Sequence, residues 1–279
     1  MKLAAVVVLY QPEDDVFDNV TTYWDDVDRL YVVDNSDTVN TQLVGKIKKH
    51  PSVVYQSLGG NQGIAKALNI GLCLANQDGF THLMTMDQDS KFDIGSLLQY
   101  RKKAAHIFLE KANLILCGLN HAAYHAKHPD WNYEVANEVI SSGMIMDIKK
   151  ALAIGAFLEK LFIDYVDYEF CYRAEKFGYI CMVVNTCRLI HQIGSVHPTT
   201  AYGIHFNNHN EHGKVRQYYL IRNGLYTMRH YPKKIGTTGK SCIKNILKIF
   251  LVEDDKKEKL RYLGYGIRDF VRNNYGKFI

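Results

Sequence analysis

Residues 81–90 read Thr-His-Leu-Met-Thr-Met-Asp-Gln-Asp-Ser, an apolar run that ends in two aspartates separated by one residue. A run of this length is typical of a buried strand, and the polar side chains directly after it lie at the strand's carboxyl end. Asp87 and Asp89 offer the hard oxygen ligands that Mg²⁺ or Mn²⁺ prefers. The same pattern is also typical of a solvated loop, so the surrounding sequence has to distinguish the two interpretations.

Apolar runs and helical patterns alternate through the first ninety residues. The runs at 4–9, 30–33, 53–55 and 81–86 predict strands, and residues 16–24, 43–49 and 63–75 between them predict helices. This alternation predicts a parallel sheet covered by helices on both faces. Ligands bind beyond the carboxyl ends of the strands in such sheets. The residues that follow the runs are therefore candidate site residues.

The pattern continues beyond residue 90. Further helices are predicted at 94–111, 151–161 and 168–176, and further strands at 114–119, 139–146 and 180–184. Residues 191–213 are polar and rich in glycine, asparagine and histidine, which predicts a mobile loop. In the last fifty residues, apolar side chains share one helical face beside a row of lysines at 240, 244 and 248.

Composition excludes several classes of protein. The chain has 279 residues, 47% of them hydrophobic, which is enough for a full core. Its net charge of +5 does not require a nucleic-acid partner. The six cysteines include no Cys-x-x-Cys pair, so we expect reduced thiols and a cytoplasmic protein. No run approaches about 18 apolar residues, the length of a membrane-spanning helix.

Three further segments carry candidate chemistry. Asp34 and Asn35 close a predicted strand with groups that can hydrogen-bond a base or ribose, although an Asx turn is the alternative. Residues 59–71 place glycines and Lys66 at a helix N-terminus, where backbone amides favour anions. Residues 161–173 combine three carboxylates with aromatic side chains. Capping explains one of these acids, and a general base is the other interpretation.

In order, these motifs resemble the family 2 glycosyltransferases of the GT-A fold, and within them the bacterial rhamnosyltransferase-like branch. The resemblance covers most of residues 3–230 and is carried by the following segments: Val33-Asp34-Asn35-Ser36, Gly60-Asn61-Gln62-Gly63, Asp87-Gln88-Asp89-Ser90, Ser142-Gly143, Leu161 to Arg173, His191 with Gly194, and Arg216 to Asn223. It implies an α/β fold with a Rossmann-like mixed, mainly parallel sheet flanked by helices. Residues 1–230 would form the catalytic domain, and residues 231–279 a helical extension.

The resemblance also implies roles for individual residues. Asp167 corresponds to the catalytic base, with Asp164 or Glu169 as alternatives because Val166 replaces an acid that many relatives carry. Asp89 and His191 correspond to metal ligands, although a structural role for His191 is the alternative. The contacts implied for the nucleotide-sugar donor are Tyr10, Asp34, Asn35, Gly63, Lys66, Asp87, Gln88, Arg216, Tyr219 and Arg222.

The implied function is an inverting, Mg²⁺- or Mn²⁺-dependent transfer of L-rhamnose from dTDP-L-rhamnose to a lipid-linked oligosaccharide or growing surface polysaccharide, such as O-antigen, capsule or cell wall. UDP-hexose or UDP-galactofuranose is the alternative donor, and a non-catalytic carbohydrate-binding protein is the alternative function. The basic helix at 240–252 predicts contact with the cytoplasmic face of a membrane, with capping of the core as the alternative. An aspartate-nucleophile phosphatase fits poorly, because three strands precede Asp87 and Ser90 follows the motif.

Overall fold

The computed structural model describes residues 1–119, 132–187, 189–191, 196–201, 204–210, 213–251 and 253–279, with the backbone alone from 191 to 210. The chain forms two compact units. Unit 1 contains Met1–Glu159 and Val166–His191, and unit 2 contains Lys160–Tyr165 and Gln192–Ile279. The domain boundary predicted between residues 230 and 231 does not coincide with this division, because residues 192–230 group with the C-terminal helices.

Unit 1 is built on an eight-stranded sheet with the strand order β3-β2-β1-β4-β8-β6-β9-β7. Strands β1 to β4 are parallel, β8 is antiparallel to both β4 and β6, β9 is parallel to β6, and β7 is antiparallel to β9. The predicted mixed, mainly parallel sheet is therefore confirmed. The strands are β1 Leu3–Leu9, β2 Arg29–Asp34, β3 Val53–Ser57, β4 His82–Asp87, β6 Leu114–Leu119, β7 Tyr133–Ala136, β8 Met144–Asp147 and β9 Ile180–Val184.

The described part of unit 1 contains six α-helices. Strands that helices cover are apolar because their side chains are buried. All seven residues of β1 are buried, as expected for a strand covered on both faces. Helix α3 packs closely on this strand at Gly71, where a Cβ atom would lie 2.4 Å from Val6 Cγ2. The helices are α1 Asp15–Thr21, α2 Thr41–Ile47, α3 Ile64–Gln77, α4 Ser96–Glu110, α5 Ile148–Ala153 and α6 Val166–Lys176.

Three predicted elements differ from the structure. The strand predicted at 139–146 is shorter, because Gly143 has a φ of +77° and β8 begins only after it. The helix predicted at 151–161 ends at Ala153, since Gly155 has a φ of +97°, and a separate 3₁₀ turn spans Glu159–Leu161. Residues 191–213, predicted as a mobile loop, include the antiparallel strands β11 Val196–Ala201 and β12 Ile204–Asn210.

Unit 2 contains this strand pair and three helices, α7 Lys214–His230, α8 Ile235–Leu251 and α9 Lys256–Val271. A short 3₁₀ turn, Pro232–Lys234, precedes α8. The predicted helical character of the C-terminal residues is confirmed. Among the described residues, no helix is both long enough and apolar enough to cross a membrane.

Candidate active site

The segment Asp87–Asp89 leaves the carboxyl end of β4, a strand in the middle of the sheet. All three of its residues are half-buried. The Gln88 side chain accepts a hydrogen bond from Tyr10 N (2.8 Å) and donates one to Tyr10 O (3.1 Å), and Asn19 Nδ2 donates to Gln88 O (3.1 Å). Gln88 therefore fastens the segment to the end of β1, a structural role that the predicted donor contact did not include.

Ser142 is fully buried and hydrogen-bonds to the same segment. Its hydroxyl accepts a hydrogen bond from Asp87 N (3.3 Å) and donates to Ser90 Oγ (2.7 Å). Ser90 Oγ in turn lies 3.5 Å from Asp89 Oδ1, at the limit of a hydrogen bond. Two buried hydroxyls, of Ser142 and Ser90, thus connect the backbone of Asp87 to the side chain of Asp89.

Asp167 lies in the first turn of α6 and receives two backbone hydrogen bonds. Tyr168 N donates to its Oδ1 (2.9 Å), and Ser141 N donates to its Oδ2 (3.2 Å). Ser141 is the neighbour of Ser142 in the turn before β8. Ser141 therefore contacts Asp167, and the next residue, Ser142, contacts the Asp87–Asp89 segment.

The pKa of Asp167 is raised to about 6, mainly by desolvation on burial and also by the negative charge of Asp87, while backbone hydrogen bonds act to lower it. A like charge has this effect only when the two groups lie close together. The two carboxylates that the sequence placed eighty residues apart are therefore neighbours in space. A pKa near 6 leaves Asp167 ionised at pH 7 and more basic than an ordinary aspartate, as a general base requires.

The two alternative bases have cationic partners instead. Glu169 is buried, and Arg173 donates to both of its oxygens from Nε (3.0 Å) and Nη2 (2.8 Å). In unit 2, Arg216 donates to Asp164 Oδ1 from Nε (3.1 Å) and Nη2 (3.0 Å). Both carboxylates are thus engaged in charge-assisted hydrogen bonds to a guanidinium. Burial raises the pKa of Asp164, and Arg216 acts against this shift. The arrangement favours Asp167 over both.

The residues predicted to contact the base or ribose are largely buried. Asp34 has no exposed surface, and its oxygens accept hydrogen bonds from Ser36 N (2.9 Å) and Tyr55 Oη (2.8 Å). Asn35 is also buried and accepts from Gln62 N (2.7 Å). Both side chains therefore hold the loops around them, and their predicted contacts with the donor stay predictions.

Two other predicted contacts on this side of the sheet retain accessible surface. The Tyr10 side chain is exposed, and Lys66 is half-buried in the first turn of α3. Gly63 precedes that helix with a φ of +90°, a conformation that strongly favours glycine, and its amide donates to Asn61 Oδ1 (3.1 Å). The Gly63 amide is thus engaged within its own loop.

Arg222 and Tyr219 do not have the environment of ligand contacts. Arg222 has no exposed surface, and its five N–H groups donate to side chains or to backbone carbonyls of unit 2. Tyr219 is 3% exposed, stacks on Phe162 and accepts a hydrogen bond from Phe278 N. This burial and these partners favour a structural role for both residues, and their predicted contacts with the donor stay predictions. Arg216, by contrast, is half exposed.

A divalent ion was predicted at Asp89 and His191. The described residues contain no cluster of three histidine, cysteine or acidic side chains. Mg²⁺ or Mn²⁺ shared with a diphosphate needs only one or two carboxylates, so Asp87 and Asp89 fit this ion. The buried Tyr23 hydroxyl has no hydrogen-bond partner among the described residues. Burial raises the pKa of Tyr23, with a smaller contribution from the negative charge of Asp87.

His191 ends strand β10, Leu189–His191, which pairs with β5, Ser90–Phe92. In this antiparallel pair His191 lies opposite Ser90, the residue after Asp89. The backbone position agrees with the predicted proximity to the aspartates. The His191 side chain lies outside the described part of the chain, so its role stays a prediction.

Comparison with known proteins gives a curated relative of similar length. No family model matches the chain. The curated relative, the dTDP-rhamnosyl transferase RfbF of Shigella flexneri, is 27% identical over 275 residues, which cover 93% of this chain and 90% of the relative. The chain is therefore similar to a rhamnosyltransferase over nearly its full length.

Solved structures agree with the fold of this chain. The mannosyltransferase PcManGT of Pyrobaculum calidifontis, in complex with GDP-Man and Mn²⁺, matches with a TM-score of 0.58 and 11% identity over 97% of this chain and 75% of that one. GalNAc-T7 with UDP, GalNAc and Mn²⁺ matches with a TM-score of 0.55 and 11% identity over 68% of this chain. The present chain spans only 43% of the GalNAc-T7 chain. These likenesses support the GT-A fold.

The candidate site includes residues to which the sequence gave no role. Ser141 and Ser142 contact the candidate carboxylate segments, and Ser90 extends the chain of hydroxyl groups. Ser142-Gly143 was one of the motifs that carried the family resemblance, so a signal was present. Its meaning depends on contacts across more than fifty residues of sequence, which no local pattern specifies.

Proposed function

We propose that the protein transfers L-rhamnose from dTDP-L-rhamnose, with inversion at the anomeric carbon, to a lipid-linked oligosaccharide or growing surface polysaccharide. The curated relative supports the donor, since its name describes a dTDP-rhamnosyl transferase over nearly the full length of the chain. The chemistry is carried by one observation: Asp167, with its raised pKa, lies close enough to Asp87 for their charges to interact.

The proposed reaction assigns Asp167 the role of base. Its carboxylate takes the proton of an acceptor hydroxyl while that oxygen forms a bond to the anomeric carbon of the sugar. The bond from this carbon to the diphosphate breaks on the opposite face, and the bonding electrons leave with the nucleoside diphosphate. Attack from the side opposite the leaving group inverts the configuration. The backbone amides of Ser141 and Tyr168 keep the carboxylate in position.

Asp87 and Asp89 are the residues that would hold Mg²⁺ or Mn²⁺, with His191 as a further candidate. When bound, the ion supplies positive charge that stabilises the departing diphosphate. Ser142 fixes both aspartates relative to each other. In unit 1, Lys66 and Tyr10 are candidates for direct contact with the donor because both side chains have accessible surface.

We further propose that the enzyme is cytoplasmic and reaches its lipid-linked acceptor through residues 240–252, of which Val252 lies outside the described residues. Helix α8 has features of both a helix that caps the core and a helix that contacts a membrane surface. Thr238, Cys242 and Ile249 are buried, as in a helix that caps a core, while Ile243 and Leu247 are exposed. An exposed apolar row beside lysines supports contact with an anionic membrane surface.

The donor and the ion are tested together. Purified protein is incubated with dTDP-L-rhamnose, UDP-glucose, UDP-galactose or UDP-galactofuranose, with and without Mn²⁺ or Mg²⁺, and release of the nucleoside diphosphate is followed. We expect release from dTDP-L-rhamnose that disappears with chelator and in Asp89→Ala. Faster release from a UDP-sugar would contradict the rhamnosyl donor, and release that persists with chelator would contradict the metal assignment.

The base is tested by Asp167→Asn. We expect transfer to fall by about 10²–10⁴-fold, the usual contribution of a general base, while calorimetry shows unchanged donor affinity. In the wild type, kcat/KM should rise with pH through about 6 and then level, because the base must be ionised. The matched control is Glu175→Gln, an exposed acid on the same helix. A loss of donor affinity in Asp167→Asn would reassign the residue.

A further inference from the structure

Unit 2 contains an open cavity of about 250 Å³ beside helix α8. Its polar lining comes mainly from one side of that helix, with Ser241, Lys244, Asn245 and Lys248, and Tyr165 also lines it. Two cationic side chains, a hydroxyl and an amide facing one small space are the groups that bind phosphate oxygens in proteins. None of these residues was assigned to the sugar-transfer site.

The charges around the cavity favour an anion. Lys248 and Lys259 share the buried carboxylate of Glu253, at N···O distances of 3.7 and 3.2 Å. These three residues together carry one net positive charge. The exposed Lys244 adds a second at the cavity wall, and Lys240 a third one turn earlier on the helix. Burial lowers the pKa of Lys248 although Glu253 acts against this shift, so an anion nearby would favour its charged form.

An exposed apolar row lies next to the cavity on the same helix. Ile243, Leu247 and Phe250 are 60%, 52% and 52% exposed, and Leu251 is also exposed. An α-helix rotates by about 100° per residue, so these four side chains lie in one stripe along the helix. The lysines at 244 and 248 lie in the adjoining stripe, which lines the cavity. The helix therefore presents hydrocarbon and phosphate-binding groups side by side, which matches the two parts of a lipid.

We infer that unit 2 binds the phosphate group of an anionic membrane lipid in this cavity, with the apolar row of α8 inserted among the lipid chains. This inference rests on the proposed membrane-side function and adds a defined headgroup site to it. Lys244 and Ser241 are accessible at the cavity wall and contact the phosphate oxygens. Leu247 and Phe250 enter the hydrocarbon, where their burial contributes to binding.

The first test compares two lysines on one helix. Sedimentation measures binding of the full-length protein to vesicles of phosphatidylcholine and phosphatidylglycerol in a 3:1 ratio. Lys240→Gln removes a charge outside the cavity, and loss of one such charge weakens binding about fivefold. We expect Lys244→Gln to weaken binding at least fivefold more than this control. Inorganic phosphate should compete with the vesicles better than chloride at equal ionic strength.

The second test concerns the apolar row. Leu247→Ser should weaken vesicle binding about tenfold, and Leu98→Ser, an equally exposed leucine in unit 1, should leave it unchanged. Equal losses for the two lysine variants would overturn the cavity site, since a diffuse basic surface treats both alike. Equal binding to pure phosphatidylcholine vesicles would overturn the anionic headgroup. A dimer in analytical ultracentrifugation that Leu247→Ser dissociates would reassign the row to contact between copies.

Failure of this inference can be separated from failure of the proposed function. Release of nucleoside diphosphate from the donor is measured without vesicles, and Lys244→Gln should leave it at the wild-type rate. Loss of vesicle binding with intact donor turnover supports the headgroup site. Intact vesicle binding in Lys244→Gln overturns it and leaves the sugar transfer as proposed.

Discussion

A buried acid of unit 1 and two buried charged residues of unit 2 have different surroundings. In unit 1, burial and the negative charge of Asp87 raise the pKa of Asp167 to about 6. In unit 2, Arg222 donates five hydrogen bonds, and Glu253 lies between two lysines. The difference favours proton chemistry at Asp167 and structural support at Arg222 and Glu253.

The raised pKa of Asp167 makes the stability of the folded protein depend on pH. Asp167 has a higher pKa in the folded protein than in the unfolded chain, so the folded state binds its proton more tightly. Its contribution is fully present below the unfolded pKa, near 4, and is lost as the pH rises through about 6. At pH 7 the ionised carboxylate therefore lowers the stability of unit 1. A buried acid with no catalytic use would more often be paired or replaced.

The largest effect should come from Arg222→Met. This change removes donors to Leu161 O and Gly276 O, which lie far apart in sequence. Loss of one buried guanidinium network costs about 3–5 kcal/mol, so we expect a lower denaturant midpoint. Arg229→Met, at an exposed position on the same helix, should change stability by less than about 0.5 kcal/mol.

Arg222→Met also tests the role that the sequence predicted. A contact with the donor's diphosphate would leave stability intact and weaken donor binding. Urea unfolding and calorimetry with dTDP separate the two results. If Arg222→Met keeps the stability of the wild type but binds dTDP more weakly, Arg222 is a donor contact and its structural role is wrong.

A smaller effect is expected for Ser142→Ala. The change leaves Asp87 N and Ser90 Oγ without their buried partner, which costs about 1–3 kcal/mol. It should also loosen the Asp87–Asp89 segment and weaken Mn²⁺ binding, measured by electron paramagnetic resonance in the presence of dTDP. The matched control is Ser141→Ala, because the hydrogen bonds described for Ser141 use its backbone. Equal Mn²⁺ affinity in both variants would remove Ser142 from the site.

Much of unit 1 could be predicted from the sequence. Strands β1, β2 and β4 are continuous apolar runs bounded by polar residues, so their positions and parallel arrangement followed from local pattern. The position of β8 between β4 and β6 could not be predicted, because this antiparallel insertion depends on pairing between distant segments. The residues at the ends of the apolar runs nevertheless identified the carboxyl edge of the sheet, where Asp87 and Asp89 follow β4.

The roles of individual residues were harder to predict than the site. Asp167 was assigned from the family resemblance, and its environment supports that role. Arg222 was assigned to the donor because arginine is a common phosphate ligand, yet its partners come from Lys160, Leu161 and the carbonyl of Gly276. Burial of that kind depends on the packing of α9 and the C-terminal residues. No pattern within α7 records it.

The most direct test of the shared site is the pKa of Asp167 after removal of the neighbouring charge. Carboxyl carbon NMR of the donor-free protein, titrated with chelator present, measures this pKa in the wild type, in Asp87→Asn, and in Asp18→Asn as an exposed control in the same unit. We predict a value of about 6 in the wild type and in the control. In Asp87→Asn the pKa should be lower, because loss of a nearby negative charge favours the ionised form. An unchanged pKa in Asp87→Asn would contradict a site that both carboxylates share.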